Sequence, residues 1–206
     1  MNSLKTLLFT TLIIFILVTL NFTQTASQKK SDTVDDATDQ ELISNLKSAN
    51  DKTASNSVVE IVRRGEKLIS SLIKLKGDNS HYSGYCLGYP KSADFIIDGI
   101  SNDINDGSTV SIEVVSLYLI TAIYHDNIAF ASVPYLVDNK PVSNFQYNTK
   151  KRINKAWEST EKWYKKMQKA GLEKLRKDNE FPLKSSKIYF VGTNPDRKRD
   201  LSDCMK

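Results

Sequence analysis

The sequence predicts a mainly α-helical fold: a small bundle of about five helices, with a long basic C-terminal helix and one short strand. Three patterns carry this prediction. Apolar residues recur every three or four positions from Val58 to Leu75, and an almost uncharged apolar run extends from Val110 to Tyr124. A second amphipathic pattern covers Lys150 to Lys177. A length of 206 residues, 40% of them hydrophobic, suits one globular core.

The N-terminus has the layout of a secretory signal peptide. Lys5 supplies a positive charge, Leu7–Leu20 is an uncharged apolar run, and Thr23–Ser27 offers small residues for cleavage. The run is shorter than the roughly 20 residues that a membrane-spanning helix needs, and its retention as an anchor is the alternative. We therefore expect residues 1–27 to be a signal peptide, cleaved near residues 25–27, and the protein to be periplasmic or secreted.

Residues 28–57 are predicted to be a polar N-terminal segment with one short helix. Asp39 is expected to cap and start this helix, and Ala49–Ser57 is expected to end it. The next helix then begins at Val58. Gly65 can split it, because glycine costs about 1 kcal/mol in a helix interior.

Residues 58–147 are predicted to form the helical core. Ser108–Thr109 is expected to cap the helix that contains Val110–Tyr124, with Glu113 as the capping-box partner. Because this run is almost uncharged, it is the candidate for the most buried helix. A third short helical segment is expected from Ile128 to Val137.

Residues 148–206 are predicted to be a basic C-terminal helix and tail. From Lys150 onward the chain has 17 Lys/Arg and 8 Asp/Glu, whereas residues 28–149 have 11 and 16. Such a segment suits anionic lipid or an acidic protein, and nucleic acid is not expected as the partner of an exported chain. Lys187–Val191 resembles a strand without an obvious partner. The stripe expected to dock the helix on the core comprises Ile153, Trp157, Thr160, Tyr164, Met167, Gly171 and Leu175.

The two cysteines, Cys86 and Cys204, are expected to form one disulfide, because exported proteins oxidise their thiols. Two unpaired thiols are the alternative. The sequence has no CxxC motif and no Cys/His cluster, so we expect neither a metal site nor a cofactor.

No catalytic residue is assigned from the sequence. The histidines, His81 and His125, stand in no recognised catalytic motif, and the His125–Asp126 pair suits a helix end. The carboxylates between Asp94 and Asp106 have the spacing of a solvated helix face. A small hydrolase that uses a pair of them is an alternative of a different class.

Two short motifs carry a resemblance to a known family. The chain reads Tyr-Cys-Leu-Gly-Tyr at Tyr85–Tyr89, and the pairs Tyr118–Leu119 and Leu136–Val137 follow. In this order the chain resembles the Rap/Tai immunity proteins of bacterial type VI secretion over about residues 58–147. Two cysteines typical of the family have no counterpart, so its disulfide pattern does not carry over. The motif residues are Tyr85, Cys86, Leu87, Gly88, Tyr89, Tyr118 and Leu119.

The resemblance implies a non-enzymatic inhibitor, usually a dimer, that blocks a peptidoglycan amidase effector in the periplasm. Such a protein needs a preformed convex element that fills a catalytic cleft. The joints Gly77–Tyr82 and Tyr124–Asn127 are the expected places for it. The alternative is an exported envelope-associated or adaptor protein whose basic C-terminal helix binds anionic membrane or cell wall. The partner-binding candidates are His81, Tyr82, Tyr124, His125 and Asp126.

Overall fold

A computed structural model describes residues 36–84, 87, 110–131, 133–138 and 147–194. The chain divides after Asp36, and every helix and strand below belongs to the unit that begins at Ala37. The predicted signal peptide and its cleavage site lie outside the described residues. No helix in the described part of the chain is long and apolar enough to cross a membrane.

The fold is mainly α-helical, as the sequence predicts. A two-stranded antiparallel sheet, with Leu136 opposite Phe190 and Val137 opposite Tyr189, joins two distant parts of the chain. The elements in chain order are α1 Asp39–Asn45, α2 Asp51–Arg64, a 3₁₀ turn Gly65–Leu68, α3 Ile69–Ile73, α4 Ile112–His125, β1 Leu136–Val137, α5 Lys150–Ala170, α6 Leu172–Lys177 and β2 Tyr189–Phe190.

The first helix, α1, has a different N-cap from the one expected, and α2 begins earlier than expected. The cap of α1 is Thr38 and not Asp39: its side chain accepts a hydrogen bond from the Glu41 N–H, and the Glu41 carboxylate accepts one from the Thr38 N–H. Helix α2 begins at Asp51, seven residues before the expected start, with Asn50 as its cap. The predicted break over Ala49–Ser57 is therefore wrong for all but its first two residues.

Gly65 ends α2, as the sequence suggests. Its φ of 68° is a conformation that residues with a side chain rarely adopt. The chain continues as the 3₁₀ turn and α3 and does not form one helix over the apolar pattern from Val58 to Leu75. Glu60, which is 5% exposed, bonds to Arg63 and Arg64, and Arg64 also reaches Asp39 at 2.8 Å. These charge pairs tie α1 to the end of α2.

Helix α4 is the central helix of the described fold. Every residue from Ile112 to Tyr124 is buried, so the expectation of a most buried helix is confirmed. Its cap is Ser111, and this side chain makes no capping hydrogen bond. Glu113 is not a capping-box partner, because its carboxylate accepts a hydrogen bond from the Gly77 N–H at 3.0 Å. The side chain instead holds the preceding loop against the start of the helix.

The segment after α4 is not the short helix that the sequence predicts. Turns and bends lead from Ile128 to β1, and the Tyr118 hydroxyl donates to the Ile128 carbonyl at 2.7 Å and lies 3.2 Å from that of Ala131. The Tyr118 ring packs against Phe130 and Phe190, with centroids 4.8 and 5.1 Å away. Tyr118 therefore fixes a segment whose described residues form turns and bends and no helix.

The C-terminal strand has a partner in the same chain, which corrects the expectation of an unpaired strand. β2 pairs with β1, and Phe190 is fully buried beside Tyr118. The Val191 N–H extends the ladder to the Tyr135 carbonyl at 2.9 Å. Ile188 and Phe190 are thus part of the core, so this segment is not an appended tail.

Helix α5 docks on the rest of the fold by an apolar face. Ile153, Trp157 and Met167 are buried as expected, whereas Tyr164 is half-buried and Trp163 takes the inner position. The Trp163 indole N–H donates to the Glu180 carbonyl at 2.8 Å. Gly171, with φ of 81°, divides the expected single helix into α5 and α6.

Replacing Tyr118 by phenylalanine tests the importance of the bond between its hydroxyl and the loop. Because the buried carbonyls lose their donor, we expect Tyr118→Phe to lower the free energy of unfolding by about 1–3 kcal/mol. Urea unfolding measures the change. The matched variant Tyr164→Phe, at a half-buried position, should change it by less than about 0.5 kcal/mol. Equal losses in the two variants would contradict this role of Tyr118.

Candidate binding site

The two predicted partner-binding joints lie at opposite ends of α4. His81 forms an isolated bridge with Ser111, immediately before the helix, and the Tyr82 N–H donates to the Val110 carbonyl at 2.9 Å. Tyr124 and His125 are the last two residues of the helix. Fourteen helical residues span about 20 Å, so the two joints do not form one surface.

The candidate side chains differ in their exposure. Tyr82 and Tyr124 are each 5% exposed and belong to the core, so the expectation that both would be accessible is wrong. His81 and Asp126 are exposed, and His125 is half-buried. The candidates that can touch a partner at the carboxyl end of α4 are therefore His125 and Asp126.

The family-motif residues that the structure describes are buried in the core. Leu87, Tyr118 and Leu119 are at most 1% exposed. Tyr85, Cys86, Gly88 and Tyr89, like Cys204 and the carboxylates from Asp94 to Asp106, lie outside the described residues. The disulfide and the carboxylate pair both stay predictions.

A pocket of about 180 Å³ opens beside His125. Its walls come from the last turns of α4, the loop after it, the segment after α6, and β2. Most of the lining is aromatic or aliphatic, and Tyr189, which is 38% exposed, forms part of it. We call this the His125 pocket; its lining residues are Thr121, His125, Phe130, Asn179, Phe181, Leu183, Tyr189, Phe190 and Thr193.

Local structure explains how these side chains come together. Thr121 and His125 are one turn apart on α4 and therefore share a face. The His125 ring stacks on Phe130, with centroids 5.3 Å apart and planes inclined by 26°. The β1–β2 pairing then brings Tyr189 and Phe190 to the wall of the His125 pocket. Thr121 donates its hydroxyl to the Leu117 carbonyl at 2.8 Å.

Arg176 of α6 closes the carboxyl end of α4. Its guanidinium donates to the Tyr124 carbonyl at 2.8 Å and to the Ile123 carbonyl at 2.6 Å. A cation at a helix C-terminus satisfies carbonyls that lack helical partners and interacts favourably with the helix dipole. Asp126 continues in the left-handed conformation with φ of 50°, and the Asn127 side chain accepts from the Ala129 N–H at 2.8 Å. The turn Asp126–Asn127 is therefore held from both sides.

Burial, with a smaller contribution from the positive charge of Arg176, lowers the pKa of His125 to about 4. The imidazole is consequently neutral near pH 7. A neutral ring stacked on Phe130 suits an apolar pocket, since a buried charge there would lack a counter-ion among the lining residues.

The chemistry of the His125 pocket is that of apolar recognition. Among the described residues, its lining contains no carboxylate, lysine, arginine or cysteine. Within the described residues, no group of three His, Cys, Asp or Glu side chains could hold a metal ion. An apolar cavity of about 150 Å³ accepts a benzene ring, so a pocket of this size has room for one Phe or Leu side chain.

Sequence reasoning found one wall of this pocket and missed the others. It named His125, at the end of α4, as a partner-binding candidate and predicted no pocket there. The sequence predicts a tail after α6, because short strands and turns carry little periodicity. The aromatic residues of Phe181–Phe190 are the signal that marks this segment as part of the core.

Comparison of the chain with protein-family models, with curated proteins and with solved structures finds no match. The resemblance to the Rap/Tai immunity proteins therefore stays a prediction.

The pH dependence of stability tests the environment of His125. Its pKa is about 4 in the folded chain against 6.5 for an ordinary histidine. Above pH 6.5 both states hold the neutral ring, and its contribution is fully present. As the pH falls from 6.5 towards 4, the unfolded chain binds a proton that the folded chain does not, so stability decreases. Because the ring is half-buried, we expect a loss of only about 1–2 kcal/mol.

Urea unfolding between pH 7 and pH 4.5 measures this loss. His125→Phe should remove this loss, because the variant has no side chain at position 125 whose pKa differs between the folded and unfolded states. His81→Asn, which also removes one histidine, is the matched control and should retain it. A pH dependence that is unchanged in His125→Phe would contradict the assignment.

Proposed function

We propose that this protein is a non-enzymatic inhibitor that binds and blocks a peptidoglycan amidase effector in the periplasm. The observation that carries the proposal is the His125 pocket beside the rigid turn Asp126–Asn127. The turn is the convex element, and the pocket receives an apolar side chain from the partner. The motif resemblance of residues 58–147 adds the class of partner.

The pocket has the properties of an anchor site in a protein interface. Binding energy in such interfaces concentrates in a few aromatic or apolar side chains that fill well-packed pockets. Phe130 and Phe190 form a buried floor, and the partly exposed Tyr189 forms part of the wall. A partner side chain that enters removes the exposed part of Tyr189 from water, which favours binding.

The turn has the properties of an inhibitory element. Asp126 is exposed, whereas the backbone around it is fixed by bonds of its N–H to the end of α4 and by the Asn127 side chain. A turn that is already ordered loses little conformational entropy when it enters a cleft. The exposed carboxylate of Asp126 also offers hydrogen-bond acceptors to donor groups in a catalytic cleft.

The first experiment measures inhibition of peptidoglycan hydrolysis. Full-length protein is used to capture effectors from extracts of its own strain and of competitors, and each captured amidase is assayed with increasing amounts of the protein. We expect one amidase to lose its activity at a stoichiometric ratio. If no captured amidase is inhibited, the proposal is wrong.

Replacing Tyr189 locates the interface on the molecule. Tyr189→Ala removes part of the pocket wall, and the loss of an interface anchor typically costs at least about 2 kcal/mol, or roughly 30-fold in the dissociation constant. Tyr164→Ala, a half-buried tyrosine of α5 outside the pocket, is the matched control. Calorimetric titration of the amidase should show the loss in the first variant alone. Equal affinities would place the interface elsewhere.

A further inference from the structure

The outward face of α5 carries a straight row of lysines, which we call the lysine stripe. Successive members are four, seven, three and four residues apart, spacings that keep them on one side of a helix with 3.6 residues per turn. All are exposed, on the side opposite the buried face. The row is about 27 Å long, from a rise of 1.5 Å per residue. The lysine stripe comprises Lys151, Lys155, Lys162, Lys165 and Lys169.

The charges of the lysine stripe are not neutralised within the described part of the protein. No described carboxylate forms an ion pair with any of the five, whereas the neighbouring Lys166 is paired with Glu180 at 3.0 Å. Glu161, on the same helix, is paired with Lys76. One acidic residue, Glu158, lies within the row and is exposed.

The stability of α5 does not explain the row. The helix is held on the core by its buried side chains, which include Ile153, Trp157, Trp163 and Met167. Lysines four residues apart, such as Lys151 with Lys155, repel one another and weaken the helix. A partner with negative charge would turn this repulsion into attraction.

We propose that the lysine stripe holds the protein against an anionic lipid surface. A straight row of exposed lysines on one face of a helix lets all five ammonium groups reach a flat surface at once. Lys162 lines a pocket of about 220 Å³, but the other four lysines are not among its lining residues, so this pocket does not run along the row as a channel for a polymer chain would. The described part of the row also has no exposed aromatic ring for stacking on bases. The apolar face of α5 is occupied by the core, so the contact is electrostatic and involves no insertion into the lipid. No member of the stripe lines the His125 pocket, so the inference does not depend on the proposed function.

Vesicle co-sedimentation of the full chain tests the proposal. The probes are vesicles of phosphatidylglycerol with phosphatidylcholine, and vesicles of phosphatidylcholine alone. The second kind measures any contribution of the apolar run Leu7–Leu20, which is present in every variant. We expect charge-dependent binding to the anionic vesicles. It should vanish as ionic strength rises from about 0.1 M to about 1 M, where the screening length falls from about 10 Å to about 3 Å.

Three substitutions in the stripe should weaken this binding. Each lysine contributes a factor of about five, so replacing Lys155, Lys162 and Lys169 by glutamine should lower the partition coefficient about 100-fold. The control replaces three exposed lysines outside α5 by glutamine and has the same net charge. It should lose much less, because its changes lie outside the row. The control positions are Lys52, Lys74 and Lys187.

A single substitution should strengthen binding. Glu158→Lys removes the one acidic group within the row and completes it, so we expect affinity to rise by more than tenfold from a change of two charges. Urea unfolding confirms that each variant is folded. Equal losses in the stripe and control variants, or no gain from Glu158→Lys, would overturn the proposal. Stripe-dependent binding to soluble polyglutamate without binding to vesicles would also overturn it, and would assign an acidic polymer as the partner.

Discussion

A helix buried on every side must have the hydrogen-bonding groups at both of its ends satisfied by the protein itself, and this constraint organises the molecule. At the amino end of α4, the Ile112 and Glu113 N–H groups donate to the Ser80 and Asp78 carbonyls at 2.8 and 3.0 Å. At the carboxyl end, the Arg176 guanidinium donates hydrogen bonds to two carbonyls of the helix. Because water cannot reach a fully buried helix, these contacts replace it.

The two end contacts also determine where function can lie. The amino end is closed by the loop after α3, which buries Tyr82 and leaves His81 outside. The carboxyl end is closed by a side chain from α6, which leaves room beside His125 for a pocket. The difference is physical: backbone closes one end and a long side chain closes the other.

Sequence reasoning predicted the elements whose burial follows a simple period. The run Val110–Tyr124 and the apolar stripe that docks α5 on the core are long and periodic, so the sequence predicts both helices. The start of α2 was missed because Ser55 and Ser57 are fully buried, and small polar residues do not count in an apolar pattern. The β1–β2 pair was missed because two strands of two residues carry no period, and their register depends on tertiary packing. For the same reason the sequence located His125 but not the pocket walls contributed by Phe181–Phe190.

The pairing of Leu136 with Phe190 has a consequence for the order in which the molecule is made. Phe190 completes the packing around Tyr118. The core therefore lacks the ring of Phe190 until nearly the whole described chain has left the ribosome. Contacts between such distant residues also require a long loop to close first, which slows folding. Until then Tyr118 and Phe130 lack the ring of Phe190 as a packing partner. This part of the core is therefore completed only after the segment that contains Phe190 has been synthesised.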